Sequence, residues 1–235
     1  MKAIKAERSL ADQVYDSIRD SILSGRLVPG TLHSVKSLAD ELEVSRTPVR
    51  EALIDLASQG MVRFERNRGV RILQRTAHDI LEIFSLRLLM EVPATRAAVP
   101  RLTDGAVRML EKEFDRMGAA ADAGDEPRMM RHDRRFHVVL LEASGNERLA
   151  RATDQLRDQI LTQGVSTVGR SRSLPEVVEP HRRILEAARR RDAHAAAAAM
   201  RDHVLSTGRL ILTQEGGDPS ALEEWASFVT YPRKG

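Results

Sequence analysis

The 235 residues include no cysteine, which excludes a disulfide framework and any thiolate metal site. Phe, Trp and Tyr make up 3% of the chain, too few to expect a pocket built to stack an aromatic ligand. No stretch approaches the roughly 20 apolar residues of a membrane span. Met1 to Gln13 mixes charges with single apolar residues and lacks the apolar run of a signal peptide. The expectation is a soluble cytoplasmic protein without a membrane partner. Net charge is small too, at +3, but it is unevenly placed. Residues 1–75 hold 13 Lys and Arg against 10 Asp and Glu, whereas residues 76–235 hold 24 of each. Within the first part, Arg63, Arg66, Arg68, Arg71 and Arg75 face only Glu65. A local basic patch on a neutral chain suits a phosphate-binding face.

The chain is organised around Val44-Ser45-Arg46-Thr47-Pro48-Val49-Arg50-Glu51-Ala52-Leu53. Ser45 or Thr47 can cap a helix there, and Pro48 fits its first turn. Arg46 and Arg50, four apart, point the same way, while Val49, Leu53, Leu56 and Ala57 form an apolar stripe elsewhere. Val35 to Leu42 is a short amphipathic segment one tight turn earlier, as a helix-turn-helix requires. After Gln59-Gly60, residues 61–64 and 70–73 alternate as two short strands joined by the basic Glu65 to Gly69, a β-hairpin wing.

These residues resemble the winged helix-turn-helix of the GntR family of bacterial transcription regulators. The match runs in order through Gly25-Arg26-Leu27-Val28-Pro29-Gly30, Leu38-Ala39, Val44 to Leu53, Leu56, Gly60-Met61-Val62 and Asn67-Arg68-Gly69. Val35 departs from it, standing where the family often has glutamate. The resemblance implies DNA contact by Lys36, Arg46, Thr47, Arg50, Arg68 and Gly69, with Lys36 meeting phosphate.

From His78 onward the periodicity is helical, with no convincing strand, and predicts an antiparallel bundle of six or seven helices. The chain is therefore mainly α. Its expected divisions are a DNA-binding domain over 8–75, a helical domain over 78–214 and a tail over 215–235. Several polar groups fall on apolar faces of this bundle. Asp133 and His137 share the face of Met130, Phe136, Leu140 and Leu141. His181 sits among Val177, Ile184, Leu185 and Ala188, and His203 among Met200, Val204, Leu210 and Ile211. Bundles build metal sites from such inward side chains, and imidazole with carboxylate suits zinc, nickel, manganese or iron(II). Any one of these histidines taken alone reads as a hydrogen-bonded core residue. Together they predict one divalent ion per chain.

A second resemblance covers residues 78–214. Asp133-Arg134-Arg135-Phe136-His137, Ser144-Gly145-Asn146, His181 to Ala187, Asp192 and His203 are similar to the C-terminal ligand-binding domain of the FadR-type branch of the same family. In its metal-containing members an Asp and three His hold a divalent ion, which implies Asp133, His137, His181 and His203. Arg87, on the face of Ile80, Ile83, Phe84 and Ala94, opens a pattern common in that domain, Arg87 to Glu91. It reads either as an effector-binding guanidinium near the metal or as a surface pair with Glu91.

The function expected is a ligand-responsive repressor, binding a pseudopalindromic double-stranded operator as a homodimer and sensing a small carboxylate effector. A metalloenzyme with an appended DNA-binding module is the alternative, and an architectural protein with a structural metal a third. Against catalysis, no HExxH motif or other carboxylate is placed as a general base, so an enzyme is not expected.

Overall fold

The structure, a computed structural model, describes residues 9–73, 76–162 and 166–230; Arg75 of the basic patch lies outside them. The chain divides into two compact units at Arg75–Thr76. It is mainly helical, and among the described residues no helix is long and apolar enough to cross a membrane.

The first unit begins with α1 (Leu10–Leu23), started by a capping box in which Ser9 and Asp12 satisfy each other's backbone N–H groups. The helix-turn-helix follows as α2 (Val35–Glu41) and α3 (Arg46–Ser58). Their turn passes through Glu43 at φ +55, and the Val44 N–H closes it on the Ala39 carbonyl at 3.0 Å. Ser45 takes the N-cap position of α3, but neither it nor Thr47 supplies the expected side-chain cap. Pro48 and Val49 of the first turn are buried instead, with Leu53 and Leu56 behind them. Packing rather than capping holds this end.

The wing is β2 (Val62–Glu65) paired antiparallel with β3 (Gly69–Ile72), Val62 opposite Ile72 and Glu65 opposite Gly69. A third strand, β1 (Leu32–His33), pairs with the other edge of β3, giving the order β1-β3-β2. Two residues carry no period, so the sequence showed no sign of β1. It explains Gly69: at φ +123, a Cβ there would lie 2.1 Å from the His33 carbonyl oxygen.

The second unit comprises α4 (Ala77–Ala98), α5 (Asp104–Asp122), α6 (Glu126–Glu142), α7 (Glu147–Thr162), α8 (Leu174–Arg189), α9 (Ala193–Gln214) and α10 (Ala221–Ser227). Capping is regular here. Thr76 with Asp79, and Ser173 with Glu176, form capping boxes, while Thr103, Asp125 and Asp192 cap through their side chains. Helix α4 continues through Pro93. Its Phe84 is fully buried, against a point on α9 where Gly208 leaves no space: a Cβ would lie 2.7 Å from Phe84 and from Leu222 of α10. The residues after Gln214, expected as a separate tail, return to this core through Leu222, Ala226 and Val229. The helix formed here, α10, is only 7 residues long, too short for its pattern to show in the sequence what it would cover.

Candidate metal and effector site

One cluster of polar side chains lies inside the second unit. Asp133 and His137 come from α6, His181 from α8, His203 from α9, Arg87 and Glu91 from α4, and Arg157 from α7, all buried. Asp133, His137 and His181 occupy the inner faces of their helices among apolar core neighbours three and four residues away, such as Met129, Phe136, Leu140, Val177, Ile184 and Leu185.

The four residues expected to hold metal are brought together. Ligand atoms of His137, His181 and His203 lie within 4.8 Å of one another. His137 Nε2 and His181 Nε2 are 3.1 Å apart, and His181 Nε2 is 2.9 Å from Asp133 Oδ1. The tautomers follow from what lies behind each ring. His181 Nδ1 is 3.2 Å from the carbonyl oxygens of Val177 and Val178, which can only accept, so Nδ1 donates. His137 Nδ1 lies 3.2 Å from Glu91 Oε2, off the line of a good hydrogen bond. With its Nδ1 hydrogen so committed, a neutral His181 directs its Nε2 lone pair inward, toward Asp133 Oδ1 and His137 Nε2. Two donors about 2.1 Å from one ion at right angles would stand about 3.0 Å apart, close to the separations found. His203 Nδ1 is buried without a hydrogen-bond partner. This donor set could hold a divalent ion.

The protonation states agree with ligation. Burial, reinforced by Arg157, pushes His137 down to about 4. Burial and the two neighbouring imidazoles push His203 well below the usual histidine range. Burial would raise Asp133, but Arg157 and then His181 outweigh it and hold the carboxyl well below its ordinary value. Glu91 is lowered in the same way, by Arg87 and Arg157 against burial.

Arg87 and Glu91 form the expected i,i+4 pair, Nε donating to Oε1 at 2.6 Å, but in the core rather than on the surface. Sequence reasoning missed Arg157. Its Nη2 donates to Asp133, while its Nε and Nη1 are buried without hydrogen-bond partners. The signal existed: Ala150, Thr153, Arg157 and Ile160 are spaced three, four and three, and all four are buried. Arg172, also missed, lies in the loop before α8, where no period could reveal it.

These groups border a cavity of about 60 Å³, lined by Arg87, Asp133, Arg157, Arg172, His203 and Thr207 among others. Three guanidiniums and Asp133 line it, and Glu91 pairs with Arg87, so three positive charges stand against two negative ones. One positive charge is left over, and a divalent ion would make it three. A surplus of that kind favours an anionic occupant.

In the first unit Lys36, Arg46, Thr47, Arg50 and Arg68 are exposed. Arg46 and Arg50 make no ion pair among the described residues, whereas Lys36 meets Asp40 at 2.6 Å in an exposed and therefore weak pair. The basic patch is partly structural: Glu65 pairs with Arg68 and Arg71, and Arg71 also donates to the Gly30 carbonyl.

Comparison with known proteins agrees with this architecture. Residues 10–72 match "Bacterial regulatory proteins, gntR family", and residues 82–206 match "FCD domain". The chain is 28% identical over 215 residues to the "Probable D-xylose utilization operon transcriptional repressor" of Paenarthrobacter nicotinovorans, covering 92% of this chain and 94% of that protein. It is 26% identical over 223 residues to the "Glc operon transcriptional activator" of Escherichia coli K12, covering 84% and 87%. The solved structure of E. coli McbR/YncC aligns with a TM-score of 0.67 at 23% identity, over 88% of this chain and 99% of that one, and shares the fold. With both halves matched in order, the chain belongs to the GntR family of bacterial DNA-binding transcription regulators, in the branch whose C-terminal half is an FCD domain, and is not an enzyme.

Proposed function

We propose that the protein is a metal-dependent, ligand-responsive repressor. Asp133, His137, His181 and His203 hold one divalent ion, and a small hydrophilic organic acid enters the adjoining cavity. The observation that carries this reading is the juxtaposition of inward imidazole lone pairs with a cavity bordered by Arg87, Arg157 and Arg172. When bound, the ion supplies Lewis acidity for an anionic oxygen donor. Arg87 and Arg157 orient that anion and exclude neutral ligands of similar size.

A homodimer presents two copies of α3, with Lys36, Arg46, Thr47, Arg50, Arg68 and Gly69 at two operator half-sites. The acid, binding one arrangement of the dimer better than another, alters operator affinity by that difference. The relatives include a named repressor and a named activator, so the direction of control is a reading for this chain alone.

Fluorescence anisotropy on the protein's own promoter DNA, with zinc-loaded and chelator-treated protein and a panel of small acids, tests the whole. The expected result is that one acid releases the DNA, only when metal is present. Release by a neutral sugar, or equal release without metal, would overturn it.

A further inference from the structure

Two of the three guanidiniums bordering the cavity already face carboxylates, Arg87 with Glu91 and Arg157 with Asp133. Arg172 does not. Its Nε and Nη2 reach the Thr167 hydroxyl at 3.0 and 2.9 Å, and its Nη2 reaches the Thr207 hydroxyl at 3.2 Å. Among the described residues no carboxylate forms an ion pair with it. Threonine hydroxyls satisfy the geometry of its N–H groups but do not offset its charge; burial pushes its pKa down, against the weaker pull of Asp133 and Glu176, neither of which is in ion-pair contact. A half-buried cation held over a cavity by neutral partners is arranged to meet an anion from outside the chain.

Its position says which part of the ligand it would meet. Thr207 is four residues beyond His203 on α9, so the two share a face about 6 Å apart along the axis. Arg172 is docked on the upper of these positions, while the candidate metal ligand occupies the lower. A chain of one or two carbons between two carboxyl groups can bridge such a span. The cavity is also small: a single water needs about 10–15 Å³, against about 60 Å³ here, which disfavours a long acyl chain.

We propose that Arg172 binds a second acidic group of the effector, so that the ligand is a short dicarboxylic acid rather than a monocarboxylic one. This rests on the cavity being the effector site. One carboxylate lies toward His203 and Asp133, and the other displaces the threonine hydroxyls from Arg172 in an ion pair.

The experiment is calorimetry of the full-length, zinc-loaded protein with two pairs of acids differing by one carboxylate, lactate against malate and glycolate against tartronate. In at least one pair the diacid should bind roughly 10- to 100-fold tighter than the monoacid, the worth of one charge-assisted hydrogen-bonded pair. Arg172→Gln should remove that advantage and leave the monoacid unchanged, and Arg172→Lys should restore part of it. Equal binding of monoacid and diacid by the unmodified protein would overturn the proposal while leaving the effector reading intact. Equal weakening of both acids by Arg172→Gln would do the same. If no acid binds, the effector reading fails with it.

Discussion

His181 turns Nε2, the ring nitrogen left without a carbonyl partner, onto the Asp133 carboxylate. Nε2 and Oδ1 are 2.9 Å apart, while the Nδ1 hydrogen is committed to the carbonyls of Val177 and Val178. Such a contact is favourable only with a cation between the two atoms, either a proton or a metal ion. His137 Nε2 lies 3.1 Å from the same His181 Nε2, where either its own N–H or a metal ion can satisfy the lone pair.

Purified protein is therefore expected to carry about one divalent ion per chain, measured by elemental analysis. Chelation should lower the melting temperature, since the site links α6, α8 and α9. His181→Ala and His203→Ala should each lose the ion and this response. Metal-free protein that melts identically with and without added zinc or nickel would return all four residues to an ordinary buried network.

Arg157 and a metal ion would neutralise the same carboxylate. Removing one partner of a buried ion pair costs about 3–5 kcal/mol, so Arg157→Gln should strongly destabilise the metal-free protein. With the ion bound, Asp133 keeps a counter-charge and the loss should be smaller. The measurement is the rise in melting temperature on adding metal, expected to be larger for the variant. An equal rise in both proteins would show that Arg157 and the ion do not share Asp133.

Acid should destabilise the metal-free protein in a window set by its histidines. His137 is lowered from 6.5 to about 4 in the folded chain, and His203 is lowered as well. Between those values the unfolded chain binds protons that the folded chain does not, so stability falls as pH drops below about 6.5. For His137 the loss is complete once pH is below about 4. Asp133 and Glu91, also lowered, add their loss at more acid pH. Denaturant titrations at pH 7.5, 6 and 5 (set around the ordinary histidine value of about 6.5) check the sign. Stability unchanged across that range would contradict it.

In the first unit, Arg46→Ala and Arg50→Ala should each cost about 1–3 kcal/mol of operator discrimination. Lys36→Ala should weaken all sequences alike and reduce the salt slope by about 1. Operator binding that matches the unmodified protein in gel-shift titrations of both arginine variants would remove α3 from the interface.

Gly69→Ala separates architecture from DNA contact in the wing. Its Cβ would overlap the His33 carbonyl at 2.1 Å, at a φ of +123 that L side chains rarely adopt, so a stability loss of at least about 1–3 kcal/mol is expected. DNA affinity should fall in parallel with melting temperature. Lost binding at unchanged stability would mean that Gly69 acts on DNA alone.

By itself the sequence determined whatever repeats or pairs locally. Although the side-chain cap expected for α3 does not form, its stripe of Val49, Leu53 and Leu56 and the existence of the two wing strands follow from local periodicity. The inward placement of Asp133, His137, His181 and His203 also did, because a polar residue on an apolar helical face has nowhere to point but the core. Only the tertiary structure decided what each inward group meets. That Arg87 and Glu91 are a core pair, that Arg157 reaches Asp133, and that Leu222 returns to Phe84 depend on which helices become neighbours. Helical periodicity records the face a residue occupies and not the partner across it. β1 and Arg172 lie beyond periodic reasoning altogether, since a two-residue strand and a loop side chain are placed by the elements around them.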